Sequence, residues 1–374
     1  MVERTGRYIH NSTHQYLRVR GCGAMTALET TPCLGSTKEA YDKSSANLSA
    51  ALLLTPADGG QDGKPLRLPQ TIAHRGYKVA FPENSMAAFR SAVEVGAHAI
   101  ETDLHLSSDG VVVLSHDASL KRCFGEDKKI ADCDWNYLST LRTVRKPRQP
   151  LPRFVDLLEY MAQPDQEHMW ILLDVKKDDD PTELLSLITS TIAAVPAKRR
   201  WAERIIVGCW DANYVKLALD LLPGFPLTYI GWNLAYANSL FRVPNMSFNL
   251  LAQSVAGPCG DRFLRKARKN NRAVFVWTVN NENWMEWSIK KNLDGVITDD
   301  PKLFLEVCDR WKGNPDKPSI HNKRQPRVSQ RVRWKVRQVI EVAIFYVLLS
   351  LYYMKLLALG NANSKQHVKR ALGY

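Results

Sequence analysis

The stretch Ala99-Ile100-Glu101-Thr102-Asp103-Leu104-His105-Leu106, then Ser107-Ser108-Asp109-Gly110, then Val111-Val112-Val113-Leu114-Ser115-His116-Asp117, decides how this chain folds. Two β-rich runs flank an Asp-Gly pair, a strong short-range signal for a hairpin. The runs predict strands over Ala99–Leu106 and Val111–His116, joined tightly and antiparallel. Side chains alternate along a strand, so Glu101, Asp103 and His105 share one face. Two carboxylates on one face repel each other unless they are solvated or hold a cation. Their flanking positions are apolar, which favours a buried cation over a wet edge strand. His105 reads as a neighbour of that pair rather than a ligand.

Working outward, further strand-like runs are Thr71–His74, Ile171–Val175, Ile205–Cys209, Leu227–Gly231, Ser247–Leu251, Ala273–Val279 and Gly295–Thr298. Helical patterns separate most of them, as at Ser85–Val95 (with Asn84 as expected N-cap), Glu183–Ala194 and Ala212–Leu222. Alternating strands and helices imply a parallel sheet. The runs number one too many for an eightfold barrel, and the hairpin accounts for the surplus. The expected fold is therefore α/β: a (β/α)8 barrel with a small β-hairpin insertion, followed by a C-terminal membrane-associated helix. Barrels of this kind carry function at the C-terminal ends of their strands. His74, Asp174, Lys176, Trp210, Trp232 and Trp277 all fall at run ends.

The chain has 374 residues, 45% of them hydrophobic, and a formal net charge of +13. The charge is concentrated, with nine Lys or Arg and one Asp between Lys312 and Arg337. Seven scattered cysteines without a CxxC pair exclude a zinc ribbon or disulfide framework and favour a reducing compartment. The sequons at Asn11, Asn47 and Asn245 then read as chance matches. Residues 1–69 show no sustained period and read as a disordered extension, with a short helix possible near Tyr41–Leu54. The expected division is the barrel over 70–308, a basic linker over 309–338, a hydrophobic membrane segment over 339–360 and a tail over 361–374. The apolar run Val342–Leu359 would span about 27 Å as a helix, the lower limit for crossing a bilayer. The linker would add attraction to anionic lipid, roughly 1 kcal/mol per charge at the surface. A nucleic-acid partner is not expected, because these charges adjoin an apolar segment and no aromatic groove.

The chemistry read from the residues is phosphodiester cleavage assisted by a cation. Glu101 and Asp103, with Asp174 as third carboxylate, would hold one divalent ion. Oxygen ligands favour Mg²⁺ or Ca²⁺. His74 and His116 suit general acid and base work near neutral pH. Arg75 and Lys176 are the expected phosphate contacts, and Trp277 the expected pocket wall. An ion pair of structural purpose is the other reading of Asp174 and Lys176.

His74-Arg75-Gly76, Pro82-Glu83-Asn84, Glu101-Thr102-Asp103, Asp109-Gly110, His116-Asp117, Trp277-Thr278-Val279-Asn280 and Ile297-Thr298-Asp299 occur in an order that resembles the glycerophosphodiester phosphodiesterase family. The resemblance covers about residues 71–305. It implies a TIM barrel using a divalent cation, with Glu101, Asp103 and Asp174 as ligands and His74 and His116 as the acid/base pair. Many members carry Glu where Asp174 stands. Leu173-Asp174-Val175-Lys176, Ile297-Thr298-Asp299-Asp300-Pro301 and the apolar C-terminal run are similar to a fungal branch of that family acting as phosphatidylglycerol-specific phospholipase C. That likeness implies cleavage of phosphatidylglycerol to diacylglycerol and glycerol phosphate. The route would be attack by a free glycerol hydroxyl and opening of a cyclic phosphate by water. Soluble deacylated glycerophosphodiesters, or lysophospholipids cut by a lysophospholipase D, are the alternative substrates. A lipid-binding tether without catalysis is the alternative outside enzymes. The implied location is a membrane, with the barrel facing the cytosol at the endoplasmic reticulum, a lipid droplet or the mitochondrial surface.

Overall fold

The structure, a computed structural model, describes residues 67–313, 328–358 and 371–372. The expected disordered extension and its Tyr41–Leu54 helix lie almost wholly outside the described residues.

Nine strands form one sheet: β1 (Gln70–His74), β2 (Ala99–Leu106), β3 (Val112–Leu114), β4 (Trp170–Val175), β5 (Ile205–Cys209), β6 (Leu227–Gly231), β7 (Ser247–Leu251), β8 (Val274–Trp277) and β9 (Gly295–Thr298). Their order is β1-β9-β8-β7-β6-β5-β4-β2-β3, and a β1–β2 pairing closes the ring. Eight strands run parallel around the barrel. β3 lies antiparallel outside the ring, with Leu104 opposite Leu114, as the Asp109-Gly110 signal predicts.

Alternation in β2 and β4 builds two cores at once. Ile100, Leu104, Ile171, Leu173 and Val175 point outward into the layer shared with the helices. Ala99, Trp170 and Leu172 point into the ring, where they meet Ile72, Ile206, Phe275 and Ile297. This inner cluster forms the barrel floor. The Trp170 indole N–H donates to Gln70 Oε1 at 2.7 Å, so its polar atom is not stranded by burial. One pleat higher on the same inner face the residues turn polar: His74, Glu101, Asp103 and Asp174. Register sets them side by side, His74 beside Glu101 and Asp103 beside Asp174.

After β3 the chain makes an excursion before helix Phe154–Met161. Val113, Leu120, Ile130, Cys133, Leu138, Leu141 and Leu151 give it a small core of its own. Only its first hairpin was expected from the sequence.

Helix Pro301–Gly313 runs past Cys308, where the barrel was expected to end. A second helix, Val328–Ala358, begins inside the basic stretch read as a linker. The expected membrane span needs correction here. Among the described residues no helix is long and apolar enough to cross a membrane. The apolar run continues a helix that carries Arg333, Arg337 and Glu341, and part of it lies on the barrel. Glu341 Oε2 accepts from the Trp284 indole at 3.2 Å, and the Tyr346 hydroxyl donates to the Ser254 carbonyl at 3.3 Å.

Candidate active site

The polar inner face opens at the C-terminal ends of the strands into a cavity. His74, Arg75, Glu101, Asp103, His116, Asp174, Lys176 and Trp277 all line it, so every candidate residue read from the sequence converges on one place.

The centre is acidic. One ligand atom from each of Glu101, Asp103 and Asp174 lies within 4.8 Å of the others. All three are buried. Burial, with the charges of Asp103 and Asp174, pushes the Glu101 carboxyl well above its usual range. Burial also raises Asp174. For Asp103 burial acts upward too, but Lys176 and Arg75 hold it well below the carboxylate range. The Lys176 ammonium sits 2.7 Å from Asp103 Oδ1 and 2.7 Å from Asp174 Oδ2. Arg75 Nε stands 3.3 Å from Asp103 Oδ2. Two cations thus face three carboxylates, and the excess negative charge fits a divalent ion with hard oxygen donors. Glu101, Asp103 and Asp174 would hold it. Once bound, such an ion supplies Lewis-acid stabilisation of charge on a phosphoryl oxygen.

The local backbone is bent to deliver these groups. Arg75 adopts φ 57°, and Gly76 follows at φ 81°. A Cβ at Gly76 would come within 2.7 Å of Ala88 backbone, so glycine is required there. The Arg75 N–H donates to Glu101 Oε2 at 2.9 Å, which ties the turn to the carboxylate cluster.

Asn84 corrects one expectation. The cap of helix Met86–Glu94 is Ser85, whose side chain accepts from the Ala88 N–H. Asn84 instead turns inward and donates to Asp103 Oδ2 at 2.8 Å, while its own carbonyl accepts from Thr102 Oγ1. His105 is buried, as a neighbour and not a ligand, with Nδ1 2.7 Å from Asp179 Oδ2.

Each candidate acid/base histidine has Nδ1 held by an aspartate. His74 Nδ1 lies 2.5 Å from Asp299 Oδ1, and His116 Nδ1 lies 2.6 Å from Asp117 Oδ1. A carboxylate can only accept, so Nδ1 carries the hydrogen and Nε2 is the working atom of both rings. Burial lowers the His74 pKa against the opposing pull of Asp299. The neutral form is thereby favoured, which suits a base.

A basic clasp lies behind His116. Arg122 donates from Nε to Asp117 Oδ2 at 2.6 Å, and from NH1 and NH2 to both oxygens of Glu83 at 2.9 and 2.8 Å. Glu83 Oε1 also accepts from Arg75 NH1 at 2.8 Å. Burial opposes the shift, but these hydrogen bonds hold Glu83 at about 2. Asp117 is likewise held at about 2, by Arg122 and His116 against burial. Asp117 and Asp299 sit in sequence strings read at the start, but their roles were not assigned. Arg122 gave no signal beyond its charge.

Aromatic rings form the other wall. The Trp210 indole N–H donates to Asp174 Oδ1 at 2.7 Å. Trp210 packs edge-on against Trp232 at 6.2 Å and Trp277 at 6.1 Å. Trp277 donates to the Asn249 carbonyl at 3.2 Å. The Lys176 ammonium and the Trp210 indole N–H thus hold the two oxygens of Asp174 separately.

Two pinned imidazoles, a carboxylate trio and two cations in one cavity are the equipment of phosphodiester cleavage. The glycerophosphoryl diester phosphodiesterase family model matches residues 74–303, well over half of the chain. The chain belongs to that family. It is a phosphoric diester hydrolase. A glycerophosphodiester phosphodiesterase from Caldanaerobacter subterraneus is 25% identical over 248 residues, covering 63% of this chain and 96% of the relative. A lysophospholipase D from Rattus norvegicus is 43% identical over 84 residues, or 22% of this chain and 27% of that protein. Among solved structures, the family enzyme of Thermotoga maritima is 26% identical with TM-score 0.53, covering 64% of this chain and 98% of its own. A phosphodiesterase from Oleispira antarctica, solved with sn-glycerol-3-phosphate, shares the fold at 20% identity and TM-score 0.56, covering 65% of this chain and 97% of its own. Family enzymes depend on a divalent metal, and the buried acidic trio is the matching feature here.

Proposed function

We propose that this phosphodiesterase is a phospholipase C acting on phosphatidylglycerol, releasing diacylglycerol and glycerol phosphate at a membrane surface. The observation that carries the lipid reading is the face of helix Val328–Ala358 turned away from the barrel. Val339, Ile340, Ile344, Val347, Leu348 and Leu351 are 51–67% exposed there. A contiguous apolar face of this kind marks a lipid or protein contact. Lying in the interface, the helix would hold the barrel beside its substrate. The cysteines Cys123, Cys133, Cys209, Cys259 and Cys308 are all free, which supports a reducing, cytosol-facing location on an intracellular membrane.

In the reaction, Arg75 and Lys176 are the phosphate-facing cations. His74 Nε2 takes the proton from the attacking hydroxyl of the glycerol headgroup. The bond between phosphorus and the diacylglycerol oxygen breaks, and His116 Nε2 returns a proton to that oxygen. A second proton-transfer cycle with water opens the cyclic phosphate to glycerol phosphate. Trp277, with Trp210, forms the wall against which the glycerol lies.

The local 43% identity to a lysophospholipase D favours a second reading, cleavage on the other side of phosphorus. Soluble glycerophosphodiesters are the third. Incubation of the full chain with phosphatidylglycerol, lysophosphatidylglycerol and glycerophosphoglycerol, with products identified by mass, separates them. Diacylglycerol from the first substrate supports the proposal. Lysophosphatidic acid from the second, without diacylglycerol, replaces it with the lysophospholipase reading. Turnover of glycerophosphoglycerol alone moves the enzyme to salvage of deacylated lipid.

A further inference from the structure

Ten large hydrophobic side chains are exposed among the described residues, and seven belong to helix Val328–Ala358. The other three are Val79 (55% exposed), Val144 (54%) and Trp232 (37%). None of them lies on the outer helices or on the floor of the barrel. Val79 and Trp232 stand on the segments that leave the C-terminal ends of β1 and β6. Val144 belongs to the excursion after β3, where its N–H donates to the Cys123 carbonyl beside Arg122.

Val144 and Val79 are held together. Arg145 donates to the carbonyls of Lys78 at 2.5 Å, Val79 at 2.6 Å and Phe81 at 2.7 Å. The same β1 segment carries Arg75 at one end and Glu83 at the other, so this patch borders the catalytic cavity. Trp232 stands across the mouth, because β6 is four strands from β1 in a ring of eight. It is also the outermost of the three indoles that lead from Asp174.

The segment that carries Val144 is basic. Arg142, Arg145, Lys146 and Arg148 are exposed, with no acidic residue between Leu141 and Arg153. Among the described residues none of these four forms an ion pair with a carboxylate. Of the acids at the mouth, Glu83 and Asp117 are matched by Arg122 and Asp299 by His74, with Lys78 at 3.5 Å, while Asp178 stands exposed just beyond β4, away from the Val79 and Val144 side.

We propose that the barrel mouth itself docks on an anionic lipid surface, with Val79 and Val144 on one side and Trp232 on the other entering the interface, and Lys146 and Arg148 meeting lipid phosphates. The inference rests on the lipid-hydrolase reading and deepens it, since it states how a bilayer substrate reaches the carboxylate trio. Exposed aliphatic and indole groups beside basic ones match a lipid interface, where tryptophan is enriched and each basic group near the surface adds attraction. A soluble polyanion would use the basic groups and leave Val79 and Val144 without purpose. The helix Val328–Ala358 is a separate element that meets the barrel at Ser254, just past the C-terminal end of β7.

The test compares the full chain with V79D/V144D, K146E/R148E and W232A on phosphatidylglycerol vesicles and on soluble glycerophosphoglycerol. Arg145 is left intact because it holds the loop. Docking predicts roughly tenfold lower vesicle hydrolysis in V79D/V144D and K146E/R148E, with a smaller loss in W232A. Turnover of the soluble compound stays within about twofold of wild type in the two double variants, and W232A, whose ring packs on the Trp210 wall, is judged by vesicle co-sedimentation. Equal losses on both substrates, or no loss on vesicles, would overturn the proposal. So would an effect of K146E/R148E matched by lost RNA binding while V79D/V144D is silent, which would indicate a polyanion partner. If the wild type releases nothing from phosphatidylglycerol even in detergent micelles, the lipid-hydrolase reading fails separately. Vesicle co-sedimentation then judges the docking surface: variants left in the supernatant support it, and variants that sediment like wild type overturn it.

Discussion

The two histidine arms of the site are pinned alike, each by an aspartate, and built in opposite ways. His74 ends a barrel strand, is 12% exposed, and is pinned by an aspartate 225 residues away in sequence. His116 lies outside the ring, is 37% exposed, and is pinned by its next neighbour. The first arm is stiff because closure of the barrel brings β1 against β9. The second is held by a surface clasp, with Arg122 bridging Asp117 and Glu83. Burial favours the neutral form of His74, the proposed base, whereas His116, the proposed acid, sits nearer solvent. In the proposed reaction the base is thus deep and fixed by the barrel, and the acid shallower and held by the clasp.

Substitutions can break this comparison in order of size. His74→Ala and His116→Ala should each cost on the order of 10²- to 10⁴-fold in glycerophosphoglycerol turnover. A large loss for one and near wild-type turnover for the other would end the acid/base pairing. Asp299→Asn should cost more than Asp117→Asn, because water can replace part of the hydrogen bonding at the exposed arm but not at the buried one. The expected losses are roughly 100-fold and roughly tenfold, read from kcat. Equal losses would mean that burial does not distinguish the arms.

The centre between the arms gives the next effect. Trp210→Phe removes the indole hydrogen bond on Asp174 Oδ1. Cation affinity measured by calorimetry should fall by about tenfold. Unchanged affinity would mean that the indole supports only the wall.

The smallest effect concerns the clasp and pH. Glu83 and Asp117 both titrate at about 2 in the folded chain, below their ordinary values of 4.5 and 3.8. A depressed carboxyl pKa stabilises the fold above the unfolded value, and that contribution is lost as pH falls through the folded one. The melting temperature should therefore lose the clasp's contribution between about pH 4.5 and pH 2. Arg122→Met should flatten that part of the profile while leaving the profile above pH 5 parallel to wild type. A variant with the same acid slope as wild type would show that the clasp is not held as described.

What could be read from the sequence follows the same division. The strands were legible because Ala99–Leu106 and its counterparts alternate or run apolar between turn signals; His74 and Asp174 were legible at run ends, and Glu101 and Asp103 because alternation puts them on one face of a run. Partners adjacent in sequence, such as Asp117, were visible as strings. Asp299 and Trp210 were present at run ends too, but their pairing with His74 and Asp174 depends on ring closure, which no local pattern encodes. Asn84 misled because a polar side chain before a helix serves equally as cap or as inward donor, and Ser85 next to it took the cap. The excursion after β3 was missed since its short helices and loops have no sustained period. Val342–Leu359 read from its apolar run as a membrane segment, whether spanning, hairpin or interfacial. In the structure it continues a helix that begins among basic residues and lies partly on the barrel.

The most direct test of the account is turnover of glycerophosphoglycerol by the full chain before chelation, after chelation, and after return of Mg²⁺ or Ca²⁺, with Asp103→Asn alongside. The account predicts that chelation abolishes turnover, that one of the two ions restores it, and that Asp103→Asn is not restored at the same ion concentration. Undiminished turnover in chelator, or full activity of Asp103→Asn, would contradict a carboxylate-held cation between the two histidine arms.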